Sequence, residues 1–304
     1  MGLSWYNGEN MVKPKLTVSI VIPAYNEAGS IGKCLDSCVA QKQPADEIIV
    51  VDNNSTDDTA KIVRDYQRRF PDRHIRLTTE TKQGLNPARD KGFMVAKGEI
   101  FARIDSDSAI LPDWVRQVRK TFAKKTVAAV SGPVAYHDMP GRRAGLKADE
   151  RIRALVHRMA EGRDHRYLFG SNMALRASAW QIIKDDVDPD PEGKYHEDID
   201  IALCLHKAGL KIVYNPKMIG SMSARRLEDS PRKFYDYVMR FERTFQHHGI
   251  KGPTARIPIF VFLSTYFPLK LLRGAYDLEN NRLSMSKLLK SLTEEKDESK
   301  GSRA

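Results

Sequence analysis

From Thr17 to about Ser131, short β-branched apolar runs alternate with stretches of helical length, and this alternation constrains the fold more than any other feature. TVSIVIP (Thr17 to Pro23), EIIVVD (Glu47 to Asp52), HIRLTT (His74 to Thr79), EIFARID (Glu99 to Asp105) and VAAVSG (Val127 to Gly132) read as strands. Several lack polar alternation, as strands covered on both faces do. Between them Ser30 to Ala40, Asp57 to Phe70, Asn86 to Ala96 and Pro112 to Phe122 read as helices. Ser30, Asp57 and Asn86 are the candidate N-caps, and Pro87 and Pro112 suit first-turn positions. The pattern predicts an α/β fold: a doubly wound, mainly parallel central sheet with helices on both faces. Ligands of such sheets bind beyond the carboxyl ends of the strands. There the loops after the first, second and fourth strands carry AYNEAGS, NNSTDD and SDSA. No GxGxxG follows the first strand and no P-loop signature occurs anywhere, so neither a standard dinucleotide fold nor a P-loop is supported.

A chain of 304 residues, 41% hydrophobic and 29% charged, can bury a core without disulfides or a metal staple, which excludes a mostly disordered or collagenous chain and a polytopic membrane protein. The surplus of +11 favours anionic partners such as nucleotide phosphates, a lipid surface or nucleic acid. Cys34, Cys38 and Cys204 fit neither a metal knuckle nor a secreted disulfide framework and are read as reduced thiols. MGLSWYNGEN lacks a basic n-region followed by an apolar h-region, and Tyr6 stands where a myristoylation signal wants Ser or Thr; a cytoplasmic protein is expected.

Asp105-Ser106-Asp107 ends the apolar run Ile100 to Ile104. Two carboxylates at i,i+2 beyond a buried strand can converge as hard oxygen ligands for Mg²⁺ or Mn²⁺, with phosphate and water completing the shell; the plainer reading is a solvated turn. Pro23-Ala24-Tyr25-Asn26-Glu27 closes the first strand and Asp52-Asn53-Asn54-Ser55-Thr56-Asp57 the second. On neighbouring strands these would offer an aromatic face and carboxylates to a base or ribose, although Asn, Asp and Ser are also ordinary turn residues.

PAYNE, DNNSTDDT, GLNPARDKGFMVAKGE and IDSDS, in this order and spacing, together with His196-Glu197-Asp198-Ile199-Asp200, resemble the family 2 glycosyltransferases of the GT-A fold over roughly residues 17 to 205. The resemblance implies an inverting, metal-dependent transferase of the hexosyltransferase type using a nucleoside-diphosphate sugar. It places Pro23, Ala24, Tyr25, Glu27, Asp52, Asn54, Arg89, Asp105 and Ser106 at the nucleotide sugar, with Asp52 reading the base edge. It makes Asp107 the direct metal ligand, with Asp105 at metal or ribose, and Mn²⁺ or Mg²⁺ the cofactor. Asp198 matches the catalytic base, beside Glu197; the plainer reading of HEDID is a helix N-terminus rich in acids. Gly170, Ser171 and Asn172 resemble the acceptor side. Asp90 departs from the Asn usual after the motif's arginine. The QxxRW of processive synthases is missing, the nearest match being Arg240 to Phe245, so one sugar per encounter is expected. Gly220 to Arg226 offers no histidine as a third metal ligand, and His247 and His248 further on are read as surface residues.

Four segments are expected: a flexible N-terminus (1–14), a GT-A catalytic domain (15–225), a helical, basic and apolar C-terminal extension (226–290) and a disordered tail (291–304). The catalytic domain divides into a nucleotide-sugar half at 15–132 and an acceptor half at 133–225. IPIFVFLSTYFPL, Ile257 to Leu269, is apolar between Arg256 and Lys270. Thirteen residues span about 20 Å as a helix and two prolines interrupt it, so it should not cross the ~30 Å hydrocarbon core. It is either packed on the catalytic domain or interfacial, ringed by cations suited to anionic lipid.

The leading function is transfer of one sugar to an acceptor hydroxyl of a glycan or lipid-linked acceptor in envelope synthesis, in the cytoplasm or peripherally on the inner face of the membrane. Transfer to a polyprenyl phosphate is the related alternative. A nucleic-acid-binding protein lacks any supporting motif and no nucleic-acid partner is expected, while a catalytically silent nucleotide-sugar binder is disfavoured by intact DSD and ED motifs.

Overall fold

The computed structural model describes residues 15–141, 145–147, 151, 167–250 and 253–290. The segments 1–14 and 291–304 lie outside the described residues. In chain order the strands are β1 (Val18–Ala24), β2 (Glu47–Asp52), β3 (Ile75–Thr79), β4 (Ile100–Arg103), β5 (Ala109–Ile110), β6 (Val127–Ser131), β7 (Val134–Tyr136), β8 (Met173–Arg176), β9 (Lys211–Tyr214), β10 (Gly220–Met222), β11 (Tyr276–Asp277) and β12 (Arg282–Leu283). The α-helices are α1 (Ile31–Val39), α2 (Thr59–Arg69), α3 (Leu85–Val95), α4 (Trp114–Phe122), α5 (Ala177–Ile183), α6 (Glu197–Lys207), α7 (Pro231–Val238), α8 (Arg240–His247) and α9 (Pro253–Ala275).

All five expected strands form, in one seven-stranded sheet of order β3-β2-β1-β4-β8-β6-β9. Only β8 runs against its neighbours β4 and β6; the other pairings are parallel. The α/β expectation, a mainly parallel sheet with helices on both faces and further helices at the C-terminal side, therefore holds. β1 is buried along its whole length. Its alternate residues feed two cores: Ile20 and Ile22 join Leu35, Trp114 and Phe122, while Val21 joins Phe93, Phe101 and Trp180. Gly92 lets α3 settle on the second face, since a Cβ there would collide with Val21 and Val51.

The α3 start differs from the Asn86 cap expected of it. Gly84, at φ +137°, stands before the helix, and Asn86 lies inside the first turn, where its amide donates to the Asp188 carbonyl (3.1 Å). A positive φ favours glycine over any side-chain cap. A small sheet of order β5-β10-β7 follows the carboxyl end of β4 and brings the Arg225 segment, just beyond β10, over it. Cys34, Cys38 and Cys204 are buried and unpaired.

The prolines do not interrupt the C-terminal apolar segment. Pro258 and Pro268 both lie inside α9, a continuous helix of 23 residues, about 34 Å long. Arg256–Ala275 is thus long and apolar enough to cross a membrane by length and composition, contrary to the expectation of a short, broken segment. One side of the helix packs on the rest of the chain, as the first alternative expects. Ile259, Phe262, Leu263, Tyr266, Leu269 and Leu272 pack toward α7 and the Ala224–Leu227 turn. Tyr266 donates to the Asp229 carbonyl (2.6 Å), and Arg273 pairs with Asp138 (2.6 Å). Phe260, Phe267 and Leu271 project from the opposite face, 74%, 60% and 48% exposed.

Candidate active site

The β1–β2 pairing sets Ala24 opposite Asp52, so the two polar loops meet. Asn26, at φ +52°, accepts from the Thr56 amide (2.8 Å), and Asp57 accepts from the Ala28 amide (2.9 Å). Asp52 accepts from the Ser55 amide (3.2 Å) in the tight turn after β2. Asn54 has its side chain committed to the loop, donating to the Thr81 carbonyl (2.8 Å) and to Gln83 (3.2 Å). Pro23 and Ala24 are buried in the strand end, whereas Tyr25 is half exposed and offers an open ring face.

At the end of β4, Asp105 and Asp107 flank the buried Ser106. Burial, and then the charge of Asp105, push Asp107 up to about 6. Burial also raises Asp105, against the opposing pull of Arg103. Arg225 bridges from the small sheet: its guanidinium reaches Glu27 (2.6 Å) and Asp107 (3.1 Å), so one half-exposed cation spans the loops after β1 and β4.

Glu197 and Asp198 open α6, where the helix dipole favours acids. Their environments push them apart. Glu197 is clamped by two buried guanidiniums, Arg89 (2.8 Å) and Arg103 (2.7 Å). Burial alone would raise it, but Arg103 and Arg89 outweigh that and hold it below the usual carboxylate range. Asp198 has no such partner, and burial together with the Glu197 charge pushes it up to about 7. Its two oxygens are aimed by the amides of Gly170 (2.8 Å) and Ile199 (2.9 Å). Arg103 joins the two acidic motifs directly, since the same guanidinium binds Asp105 (2.6 Å) and Glu197 (2.7 Å). An acid with its proton at half-occupancy near neutrality thus sits beside a pair of hard oxygen donors, suited to proton removal next to a polyanion.

Several expected site residues serve from below. Arg89 is fully buried and holds Glu197 and Asp90, with Asp90 at 2.9 Å. Asn172 is fully buried as well, donating to the Pro133 (2.9 Å) and Met218 (2.8 Å) carbonyls and accepting from the Trp114 indole (2.7 Å). Ser171 is buried, and Gly170 lies against Arg103, where a Cβ would fall on the guanidinium. His247 and His248 were expected at the surface, but the His248 ring is only 2% exposed because it turns inward onto Asp200. Arg103 and Arg225 were not among the expected residues. A lone arginine inside the apolar run EIFARID signalled the first, and the second lies in GSMSARR, where the sequence marks it only as one of the cations around the apolar C-terminal segment.

A parallel sheet whose fourth strand ends in paired carboxylates, joined by one arginine to an acidic helix N-terminus, defines a GT-A-type α/β protein. The family model described as Glycosyl transferase family 2 matches residues 19–183, and the chain belongs to that family. It is 34% identical over 134 residues to glycosyltransferase AglE of Haloferax volcanii, covering 43% of this chain and 44% of AglE. Identity to the poly(ribitol-phosphate) beta-glucosyltransferase of Bacillus spizizenii is 37% over 97 residues, 31% of this chain and 15% of that protein. The matches thus span less than half of these relatives. Among solved structures, the mannosyltransferase PcManGT of Pyrobaculum calidifontis, in complex with GDP-Man and Mn²⁺, superposes with a TM-score of 0.58 at 21% identity over 92% of this chain and 74% of that one. Glucosyl-3-phosphoglycerate synthase of Mycobacterium tuberculosis, with Mn²⁺, UDP and glucosyl-3-phosphoglycerate, gives 0.54 at 19% identity over 78% and 82%.

Proposed function

We propose that this chain is an inverting glycosyltransferase that moves one sugar from a nucleoside-diphosphate sugar to an acceptor hydroxyl, with residues 15–225 as the catalytic unit. The observation that carries the reading is the Arg103 bridge, which sets the carboxylate pair at β4 beside Asp198. Relatives named as glycosyltransferases and solved neighbours holding UDP or GDP-Man with Mn²⁺ support it.

Tyr25 and Asp52 line the base side and Glu27 the ribose side. A divalent cation fits Asp105 and Asp107: both are hard oxygen donors, both are raised by burial, and Asp107 is raised further by its neighbour's charge, which a dication would relieve. When bound, Mn²⁺ or Mg²⁺ would neutralise charge on the departing diphosphate. Arg225, tied only to Glu27 and Asp107 among the described residues and half exposed, can turn from them to a phosphate oxygen. Asp198 takes the acceptor hydroxyl proton as the oxygen attacks the anomeric carbon and the bond to diphosphate breaks on the opposite side. Gly170 and Ile199 fix the direction of its lone pairs, and Glu197 keeps the two arginines in place beneath.

The acceptor is read as a lipid-linked or envelope glycan, with a polyprenyl phosphate as the second reading. The exposed apolar face of α9 favours a membrane-borne acceptor, and the exposed Arg256 on the same helix suits anionic headgroups on the inner face of a membrane. UDP, GDP and dTDP sugars with Mn²⁺ or Mg²⁺ should give metal-dependent nucleotide release for one base. Asp198→Asn should retain donor binding while losing transfer. Metal-independent release, or full turnover by that variant, would refute the reading. Sedimentation with anionic but not zwitterionic vesicles, lost in Phe260→Glu/Phe267→Glu, tests the membrane contact; equal binding by the variant would refute it.

A further inference from the structure

We propose that Asp188, Asp200, His247 and His248 form a second metal site, distinct from the carboxylate pair at β4 and built for a zinc-class dication. Asp200 stands two residues after Asp198 on α6. At about 100° per residue the two side chains leave the helix on roughly opposite sides, so Asp200 faces away from the proposed sugar-transfer site. There the end of α8 meets it, with His247 the last helical residue and His248 the cap. The third element is the loop following α5, which carries Asp188.

Three of the four donor atoms already converge, and the Asp188 carboxylate lies against one of them. His248 Nε2 lies 2.5 Å from Asp200 Oδ1, and His247 Nε2 lies 3.2 Å from Asp188 Oδ2. One ligand atom each from Asp200, His247 and His248 falls within a sphere of mutual separations no larger than 4.8 Å. The Asp188 main-chain amide donates to Asp200 Oδ2 (2.9 Å), which ties the loop backbone to that carboxylate and leaves Asp200 Oδ1 for the cluster. In a tetrahedral site with ligands at about 2.0–2.1 Å, neighbouring donors stand ~3.3 Å apart. The His247–Asp188 spacing matches this, and the His248–Asp200 pair needs to open by less than ~1 Å.

Composition and access point the same way. Two imidazole nitrogens and two carboxylate oxygens are the mixed donor set that zinc accepts and that Mg²⁺, which prefers oxygen alone, does not. His248 and Asp200 are 2% and 3% exposed, whereas His247 and Asp188 are 39% and 23% exposed, so the site has a buried floor and an open mouth. His248 Nδ1 is buried without a hydrogen-bond partner, so the polar anchoring of this ring is through the nitrogen that faces the cluster. A bound dication would pin the end of α8 and the 187–190 loop to the first turn of α6, bracing from behind the helix that carries Glu197 and Asp198. The role is structural and stands independently of the sugar-transfer reading.

The test uses the full chain stripped with chelator and titrated with ZnCl₂ by calorimetry, then with Co²⁺ to read coordination from visible absorption. Asp107→Asn, which disables the carboxylate pair at β4, should still bind one equivalent of zinc with a rise in Tm. His247→Ala and Asp188→Asn, at the exposed mouth, should each weaken that binding by roughly 100-fold, the equivalent of about 2.7 kcal/mol. Co²⁺ should give the intense visible bands of a tetrahedral N/O site in the unmutated chain, a readout that needs no variant to fold. Absence of zinc binding in Asp107→Asn, unchanged affinity in His247→Ala, or a weak octahedral cobalt spectrum would overturn the proposal.

Discussion

Exchanging the adjacent acids Glu197 and Asp198 one at a time for their amides should have opposite effects on stability. Glu197→Gln removes the shared counter-charge of Arg89 and Arg103, which are 0% and 2% exposed. Arg103 would keep Asp105, and Arg89 only Asp90, itself 47% exposed. Removing one member of a buried ion pair costs about 3–5 kcal/mol. For a chain of this size that is roughly 6–20 °C in Tm. Asp198→Asn instead removes a carboxylate that burial and the Glu197 charge disfavour in its ionised form. Its folded value, about 7, lies above the ordinary aspartate value, so the folded state binds more protons between the two and the wild type loses stability as pH rises through that window. The amide has no such slope. Asp198→Asn should therefore unfold at or above the wild-type temperature, with its advantage growing from pH 5 to pH 8, while transfer falls by about 10²–10⁴. Thermal unfolding at pH 5, 6, 7 and 8 reads both effects. A Glu197→Gln protein within 2 °C of wild type, or an Asp198→Asn protein equally destabilised, would refute the division of roles between the two acids.

If Asp198 is the base, kcat/KM should rise about tenfold per pH unit below about 7 and level off above it, and Asp198→Asn should abolish that limb; a flat profile from pH 5 to 8 would count against it. Gly170→Ala should drive its new methyl into the Arg103 guanidinium and cost about 1–3 kcal/mol, measured by urea unfolding, whereas neutrality would mean the Arg103–Glu197 pair is looser than described. Arg225→Met should change stability by no more than about 1 kcal/mol, because the arginine is half exposed, yet weaken nucleoside diphosphate binding with Mn²⁺ about 10- to 100-fold by calorimetry. Unchanged nucleotide affinity would show that Arg225 serves only to pair Glu27 and Asp107.

Five of the six strands in the first 132 residues were legible as short runs rich in β-branched and apolar residues, whereas β5, two residues long, was not. The four intervening helices were legible as the stretches of helical length between those runs, although the start of α3 shifted once Gly84 took the positive φ. β8 and β9 were harder, since MALR and KIVY are four residues long and become strands only where β4 and β6 flank the first and β6 offers an edge to the second. The acidic site residues were legible as motifs, but their relation was not. Whether an arginine lines a ligand or holds a carboxylate depends on contacts across 108 positions of chain, as for Arg89 and Glu197. The same limit hid His248, whose partner Asp200 lies 48 residues earlier. Pro258 and Pro268 misled for another reason. A helix docked along one side tolerates a missing N–H, because the carbonyl left without a donor can turn toward solvent on the undocked side.

The surplus of eleven positive charges gains meaning from where its members are spent. Arg89 and Arg103 are inside the protein, neutralised by Glu197, Asp90 and Asp105, and contribute nothing to a surface field. Their work is to separate two adjacent acids: one is held charged, and the other, lacking a cation of its own, keeps a proton near neutrality. Arg225 is intermediate, half exposed over the carboxylates at β4. Arg256 is 76% exposed on α9, beside the outward-facing Phe260. Three settings give one residue type three roles: a buried clamp on Glu197, a half-exposed bridge between Glu27 and Asp107, and a surface charge bordering an apolar stripe. Net charge counts them alike, and only the first kind lies too deep to meet an external polyanion.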